Sequence, residues 1–289
     1  MDIKYGFSQD PAVVGEYLKG GCLLTEEEGL WLAWESKPEL VKEALPPVLD
    51  YVNPVVSVYI MRIGRTSFGP AFMESALMLT ASYKGKVGMY APSFLMYGPG
   101  AESATVMGRE IYGINKKYAS DIRLTKTGDV VTASIERGGR LIFDTTCRLG
   151  AYNDEKAGME AFGMPKKGDG GPGSAYFFTY EAQQKADKDM EFTAVHLNDT
   201  VSVTTHTEDW LPGAVEDIAM EESLNDPWSY FEVVKPIGCG YAHEELHMIE
   251  QIHHHNVGDP TANMAKLLSS KFDMAAFGKS TRILNADFN

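Results

Sequence analysis

Apolar and polar positions alternate in part through residues 54–63, a run rich in branched side chains, and that pattern predicts a half-buried strand. Residues 72–83 and 86–97 read as two more strands joined by a Lys84-Gly85 turn. Residues 122–126 and 130–136 pair as a hairpin across Thr127-Gly128-Asp129, and Gly138-Gly139 turns the chain again into 140–149, which makes a meander. Helical signals are fewer. Residues 37–44 predict a short helix stopped by Pro46-Pro47, and 10–18, 154–161 and 259–277 are further candidates. The glycine-rich segment 168–173 reads as a flexible loop or linker; a phosphate cradle would need a helix after it, whereas strand-like Tyr176-Phe177-Phe178 follows. Many strands, few helices and no regular β-α alternation predict an α+β protein on a predominantly antiparallel, strongly curved or closed sheet.

At 289 residues and 44% hydrophobic content, the chain can bury one large core or two modest ones. No apolar run is long enough to cross a bilayer, and residues 1–6 lack an apolar secretory core. Cys22, Cys147 and Cys239 are odd in number and widely spaced, so neither a disulfide framework nor a cysteine metal knuckle is expected, and a reducing cytoplasm is the default. A net charge of −14 argues against nucleic acid or an anionic membrane as partner.

The candidate chemistry lies in residues 108–119, Gly-Arg-Glu-Ile-Tyr-Gly-Ile-Asn-Lys-Lys-Tyr-Ala. Lys116 and Lys117 are framed by Ile111, Tyr112, Ile114 and Tyr118. Desolvation and a neighbouring ammonium both favour the neutral amine, the form that attacks a ketone to give a Schiff base. The plain alternative is a solvated lysine pair in a turn after a short strand.

The Gly-Arg-Glu lead and lysine pair resemble the signature of the acetoacetate decarboxylase-like family, whose parent enzyme is a known example of such an activated lysine. The resemblance can be followed from about Glu26 to Gly150 and again in Leu224-Asn225-Asp226-Pro227. It implies a single domain over 1–289 with a cone-like double β-barrel core. Residues 153–190 then read as an insertion and 243–289 as a helical C-terminal extension. It also implies that Lys116 is the Schiff-base nucleophile and Lys117 its modulator; where the two side chains point apart, burial of Lys116 is the larger influence on its amine. Glu74 takes the place of an active-site glutamate, or is an outward-facing strand residue. Met96 and Tyr97 line the pocket or pack the core, and Tyr241 is a pocket tyrosine or a core or interface one.

Two departures bear on the substrate. Tyr59 stands where the decarboxylases carry a second glutamate, and the acidic run Glu26–Glu28 stands where they carry an arginine. Asn115 replaces a frequent proline, and Tyr112 holds a position where relatives of altered chemistry carry substrate-orienting groups. A substrate carboxylate would then need Arg62, Arg65 or Arg109. The expected enzyme is a cytoplasmic, homo-oligomeric lyase acting on a keto or 2-oxo acid, or an aldolase-dehydratase using the same lysine. Glu74, Tyr241 or Tyr59 would serve as acid-base groups, and no cofactor is needed because the imine is the electron sink.

Two rivals remain. His243-Glu244-Glu245-Leu246-His247 fits the H-E-x-x-H zinc-peptidase pattern, with His253 spaced as a third ligand. On a helix His243 and His247 would share a face, with Glu244 as general base. Against this, Glu250 replaces the glycine that would end such a helix, and Val233-Val234, Gly238 and Gly240 suggest a strand just upstream. A non-catalytic binding protein is the other, although it would gain little from a desolvated amine.

Overall fold

The structure is a computed structural model that describes residues 5–17, 21–187 and 189–274. Twelve strands dominate it: β1 (Cys22–Glu35), β2 (Asp50–Thr66), β3 (Phe72–Tyr83), β4 (Lys86–Tyr97), β5 (Lys116–Tyr118), β6 (Asp121–Thr127), β7 (Val130–Arg137), β8 (Arg140–Leu149), β9 (Gly170–Gln184), β10 (Met190–His206), β11 (Leu211–Ala219) and β12 (Lys235–Asn256). Five α-helices accompany them: α1 (Pro11–Tyr17), α2 (Pro38–Ala44), α3 (Ala101–Met107), α4 (Glu155–Ala161) and α5 (Pro260–Lys271). The class is α+β, as the patterning predicts.

Local chemistry accounts for most of these elements. Lys84-Gly85 and Gly138-Gly139 turn with both residues at positive φ, which matches the twist of the strands they join. Asp154 caps α4 by accepting from the Ala157 N–H at 3.0 Å, and Asp259 caps α5 from Thr261 and Ala262, with Pro260 at the first position.

All strands belong to one mixed sheet. Pairing runs β1-β2-β3-β4-β9-β10-β12 and returns from β12 to β1, while β11, β8, β7 and β6 extend from β12 as an arm. Most pairs are antiparallel, but β4 pairs parallel with both β5 and β9. The long β12 is the junction, since its Cys239 lies opposite Leu32 of β1 on one side and Gly213 of β11 on the other. The main core fills the space between the circuit and the arm, with Trp34, Phe143, Tyr90, Phe178 and Trp228 fully buried.

Two expectations change here. The glycine-rich segment is no free linker, because from Gly170 onward it is the start of β9, hydrogen-bonded along β10 through Gly170↔Thr205 to Gly173↔Ser202. Residues 243–256 are not helical either. They continue β12, held by β1 and β10, so α5 is the helix of the C-terminal segment among the described residues. Both misreadings arise from composition, which is blind to partners supplied by distant strands.

Gly113 is the tightest backbone constraint on the path to β5. Its φ is +74°, and a Cβ there would lie 2.6 Å from the Phe178 carbonyl oxygen. Gly113→Ala should therefore cost about 1–2 kcal/mol from backbone conformation alone, with the clash adding to it. Thermal melting checks this, and an unchanged Tm would contradict it.

Candidate functional site

The chain reaches Lys116 through an unusual approach. α3 runs into a single π-helical turn, Gly108–Tyr112, and Gly113 then releases the chain into the three-residue β5. Such turns often mark functional sites because they break the regular side-chain register. Gly108 is required for space: a Cβ there would lie 2.7 Å from Cδ and 2.9 Å from Cε of Lys116. Asn115 anchors the other side, its side-chain amide N–H donating to the Ala91 carbonyl at 3.0 Å while its backbone carbonyl accepts from Phe94 N–H.

Lys116 is 5% exposed, and its Nζ donates to Glu74 Oε2 at 2.8 Å. The other Glu74 oxygen accepts a very short hydrogen bond from the Tyr59 hydroxyl. The rings of Phe72 and Phe94 each lie 5.9 Å from the ammonium. Burial, followed by the Glu74 charge, pushes the Tyr59 phenol well above its usual range, so it is a proton donor at neutral pH. Lys116, Glu74 and Tyr59 thus form one hydrogen-bonded chain, brought together from β5, β3 and β2.

Lys117 points the other way. Its Nζ donates to the carbonyls of Asn225 at 2.6 Å and Ser269 at 2.7 Å, with Asp226 at 3.6 Å and Asp273 at 3.5 Å. Burial lowers its pKa, and the two aspartates oppose that shift. Alternation along β5 separates the two ammonium groups, so the repulsion expected from adjacency has no direct contact to act through. The apolar frame is uneven as well: Tyr112 and Ile114 are buried, whereas Ile111 and Tyr118 are exposed. The Leu224–Pro227 turn is the floor beneath Lys117, with Arg137 tying Asp226 to Asp273 at 2.7 and 2.9 Å.

The remaining sequence candidates lie outside the cavity beside Lys116. Arg109 donates to the backbone carbonyls of Lys116 at 3.0 Å and Lys271 at 3.1 Å, which fastens β5 to the end of α5. Met96 is core, Tyr112 packs with its hydroxyl 3.3 Å from Cys22 Sγ, and Tyr241 is buried with Lys126 5.6 Å over its ring. Arg62 is bound to Glu28 at 2.7 Å on the surface. The fixed cation sought for a substrate carboxylate is therefore missing from the cavity lining, where Lys116 stands as the cation among the described residues.

Two residues enter that the sequence did not single out for this role. The cavity, ≈ 240 Å³, is lined by Lys116, Glu74 and Tyr59 together with Glu27 and Glu244. Trp31, Met78, Met89, Phe94 and Phe177 supply much of the apolar wall, and Ser174, Ser202 and Thr204 a hydroxyl-bearing one. Glu27 faces inward because β1 carries a bulge between Leu24 and Glu27, with Glu26 at φ 55°. Burial first, then the charges of Glu244 and Glu74, hold the Glu27 carboxyl well above its usual range. Burial likewise pushes Glu244 up to about 7.

The zinc-peptidase geometry is absent. His243, Glu244 and His247 lie on a strand, so the two histidines are separated by about 13 Å along it rather than by one helical turn. His243 faces Glu208 at 3.6 Å and Glu28 at 3.9 Å, while Glu244 turns to the opposite face, into the cavity. No cluster of three or more candidate metal ligands exists among the described residues. No described helix is long and apolar enough to cross a membrane.

The paired strands carry a buried lysine–glutamate pair at the wall of an apolar cavity. Comparison with known proteins places the fold: the family model for acetoacetate decarboxylase (ADC) matches residues 11–257, and the chain belongs to that family. It is 29% identical over 255 residues to the CLA biosynthesis isomerase of Lactiplantibacillus plantarum, covering 88% of this chain and 90% of that protein. Among solved structures, the acetoacetate decarboxylase of Legionella pneumophila superposes with a TM-score of 0.68 at 16% identity, over 88% of this chain and 99% of its own. The enduracididine biosynthesis enzyme MppR, complexed with pyruvate, superposes with a TM-score of 0.60 at 12% identity, over 88% and 98%. These two likenesses concern the fold.

The raised Glu244 pKa carries a stability consequence with a definite sign. The native state holds a proton that the unfolded chain releases near pH 4.5, so the penalty is absent below that value, grows as pH rises from there to about 7, and is complete above it. Glu244→Gln should raise Tm by roughly 3–8 °C at pH 8.5 and change it little at pH 4.5. An equal shift at both pH values would show that the carboxyl is not held protonated.

Proposed function

We propose that this protein is a Schiff-base enzyme in which Lys116 forms an imine with the carbonyl of an oxo compound, and Glu74 and Tyr59 move protons at the adjoining carbons. The carrying observation is the buried Lys116 amine in the cavity wall, 2.8 Å from Glu74. Transfer of its proton to Glu74 frees the amine; attack on the carbonyl carbon and loss of water then give the imine. The protonated imine accepts the electron pair of a breaking bond at the adjacent carbon, and the enamine so formed is reprotonated on carbon. That sequence needs no metal or organic cofactor. The double-barrel core and homo-oligomeric assembly implied by the family resemblance, and the cytoplasmic location expected from the cysteine pattern, belong to the same reading.

Among the reactions an imine supports, moving a proton and with it a carbon–carbon double bond fits this cavity best. The bond lost is C–H, the base is Glu74, and no leaving group departs. Three carboxyl groups stand ready, and among the described residues of the lining no second cation stands next to the reacting carbon to seat a carboxylate. The similarity to a protein named as an isomerase supports this. Decarboxylation is the second reading, supported by the family match, and aldol addition with dehydration would use the same lysine.

Borohydride reduction with a panel of acetoacetate, pyruvate, larger oxo acids and unsaturated ketones tests the imine directly. A reduced adduct is expected on Lys116, with trapping abolished and turnover lowered more than about 10³-fold in Lys116→Ala. Glu74→Gln should still fold and lose about 10²–10⁴-fold in rate. Deuterium incorporation beside the ketone in D₂O without release of CO₂ would support double-bond relocation, whereas CO₂ release would overturn it in favour of decarboxylation. Gly108→Ala should reduce trapping by displacing the lysine chain while leaving the melting transition cooperative, and full trapping would show that the close approach is not needed.

A further inference from the structure

Glu27 and Glu244 occupy directly opposed positions in the β1–β12 pairing, so their side chains leave the same face of the sheet side by side. Two carboxyl groups placed this way repel when charged, and sheets avoid the arrangement unless something requires it. Both are buried at the cavity wall. Among the described residues Glu27 makes no side-chain hydrogen bond, whereas Lys116, Glu74 and Tyr59 are joined in one hydrogen-bonded chain. Glu244 meets only His206 Nδ1 at 3.4 Å, and the indole N–H of Trp31 lies nearby without forming a good hydrogen bond. A bulge with a non-glycine residue at positive φ is maintained to aim Glu27 inward.

We infer that Glu27 and Glu244 form a second polar pole of the cavity that donates a hydrogen bond to a neutral acceptor oxygen of the substrate. The part of the substrate inside the cavity is then an apolar ketone carrying a second carbonyl, hydroxyl or ether oxygen, with no carboxylate near the reacting carbonyl. The inference rests on the Schiff-base reading for the position of the ketone and extends it to the rest of the ligand. Its physical basis is charge. Lys116 is already matched by Glu74, so an added carboxylate would face two more acids without a counter-ion in a site of low dielectric. In their acid forms the same two residues supply donors where the remaining wall is largely apolar. The charged groups facing Glu27 are Glu244, Glu74, Glu245 and Lys116; those facing Glu244 are Glu27 and His206 when protonated.

The test separates this subsite from imine formation by measuring binding in the double variant Lys116→Gln/Glu74→Gln, which cannot form an imine and leaves no unpaired Glu74 carboxylate, with matched probes on a four-carbon ketone chain. 4-Methoxy-2-butanone, whose ether oxygen can only accept, should bind about fivefold or more tightly than acetoacetate at pH 6, the effect of one hydrogen bond of about 1 kcal/mol. Its affinity should fall by pH 8.5 as the acids ionise. Glu27→Gln and Glu244→Gln, which keep an amide donor at every pH, should flatten that dependence. Glu27→Arg should reverse the order and favour acetoacetate. Equal binding of acetoacetate at pH 6 would overturn the inference, as would tightest binding of 4-(dimethylamino)-2-butanone, the mark of a cation site. Failure of borohydride trapping in the unaltered protein would instead remove the imine reading and leave this binding result standing.

Discussion

The site depends on one requirement: a buried ammonium must have a partner. Removing a lysine from water costs several kcal/mol unless an opposite charge and hydrogen bonds replace the solvent. Lys116 finds that replacement in Glu74, 42 residues earlier in the chain, and Glu74 is itself held by Tyr59 from a third strand. On the reverse face of the same short strand, Lys117 is satisfied by the carbonyls of Asn225 and Ser269. β5 is therefore pinned from both sides. The adjacent lysines serve two independent packing tasks: one side chain enters the cavity, and the other closes the floor.

The second feature is an excess of acid in an apolar cavity. One ammonium against three carboxyls cannot be neutral with all groups ionised, and burial resolves the imbalance by keeping protons on Glu27 and Glu244. The cavity therefore holds carboxyl proton donors beside the Lys116–Glu74 pair. Glu27, from the acidic run Glu26–Glu28, adds a further carboxyl to the cavity wall and no counter-ion for an anion.

Much of the framework was legible in the chain because it rests on local rules. The turns at Lys84-Gly85 and Gly138-Gly139, the proline stop after α2 and the cap at Asp154 act within a few residues, and the elements they bound follow the pattern. Misreadings fell where partners are remote. The glycine-rich start of β9 has little strand character of its own and becomes a strand only against β10. His243 to His247 match a helical metal motif in spelling, yet β1 and β10 claim their backbone hydrogen bonds.

By itself the sequence determined that Lys116 sits in an apolar frame behind a Gly-Arg-Glu lead, and that a sheet-built α+β domain carries it. It also placed Glu74 on a strand, with Tyr59 on the one before. Tertiary structure alone decided which of three consecutive glutamates faces inward, that Glu244 joins it, and that Arg109 and Tyr241 stand outside. The reason is physical: a side chain's face depends on strand register, and one bulged residue inverts it. Register is set by pairing across the sheet, between residues far apart in the chain, where no local pattern records it.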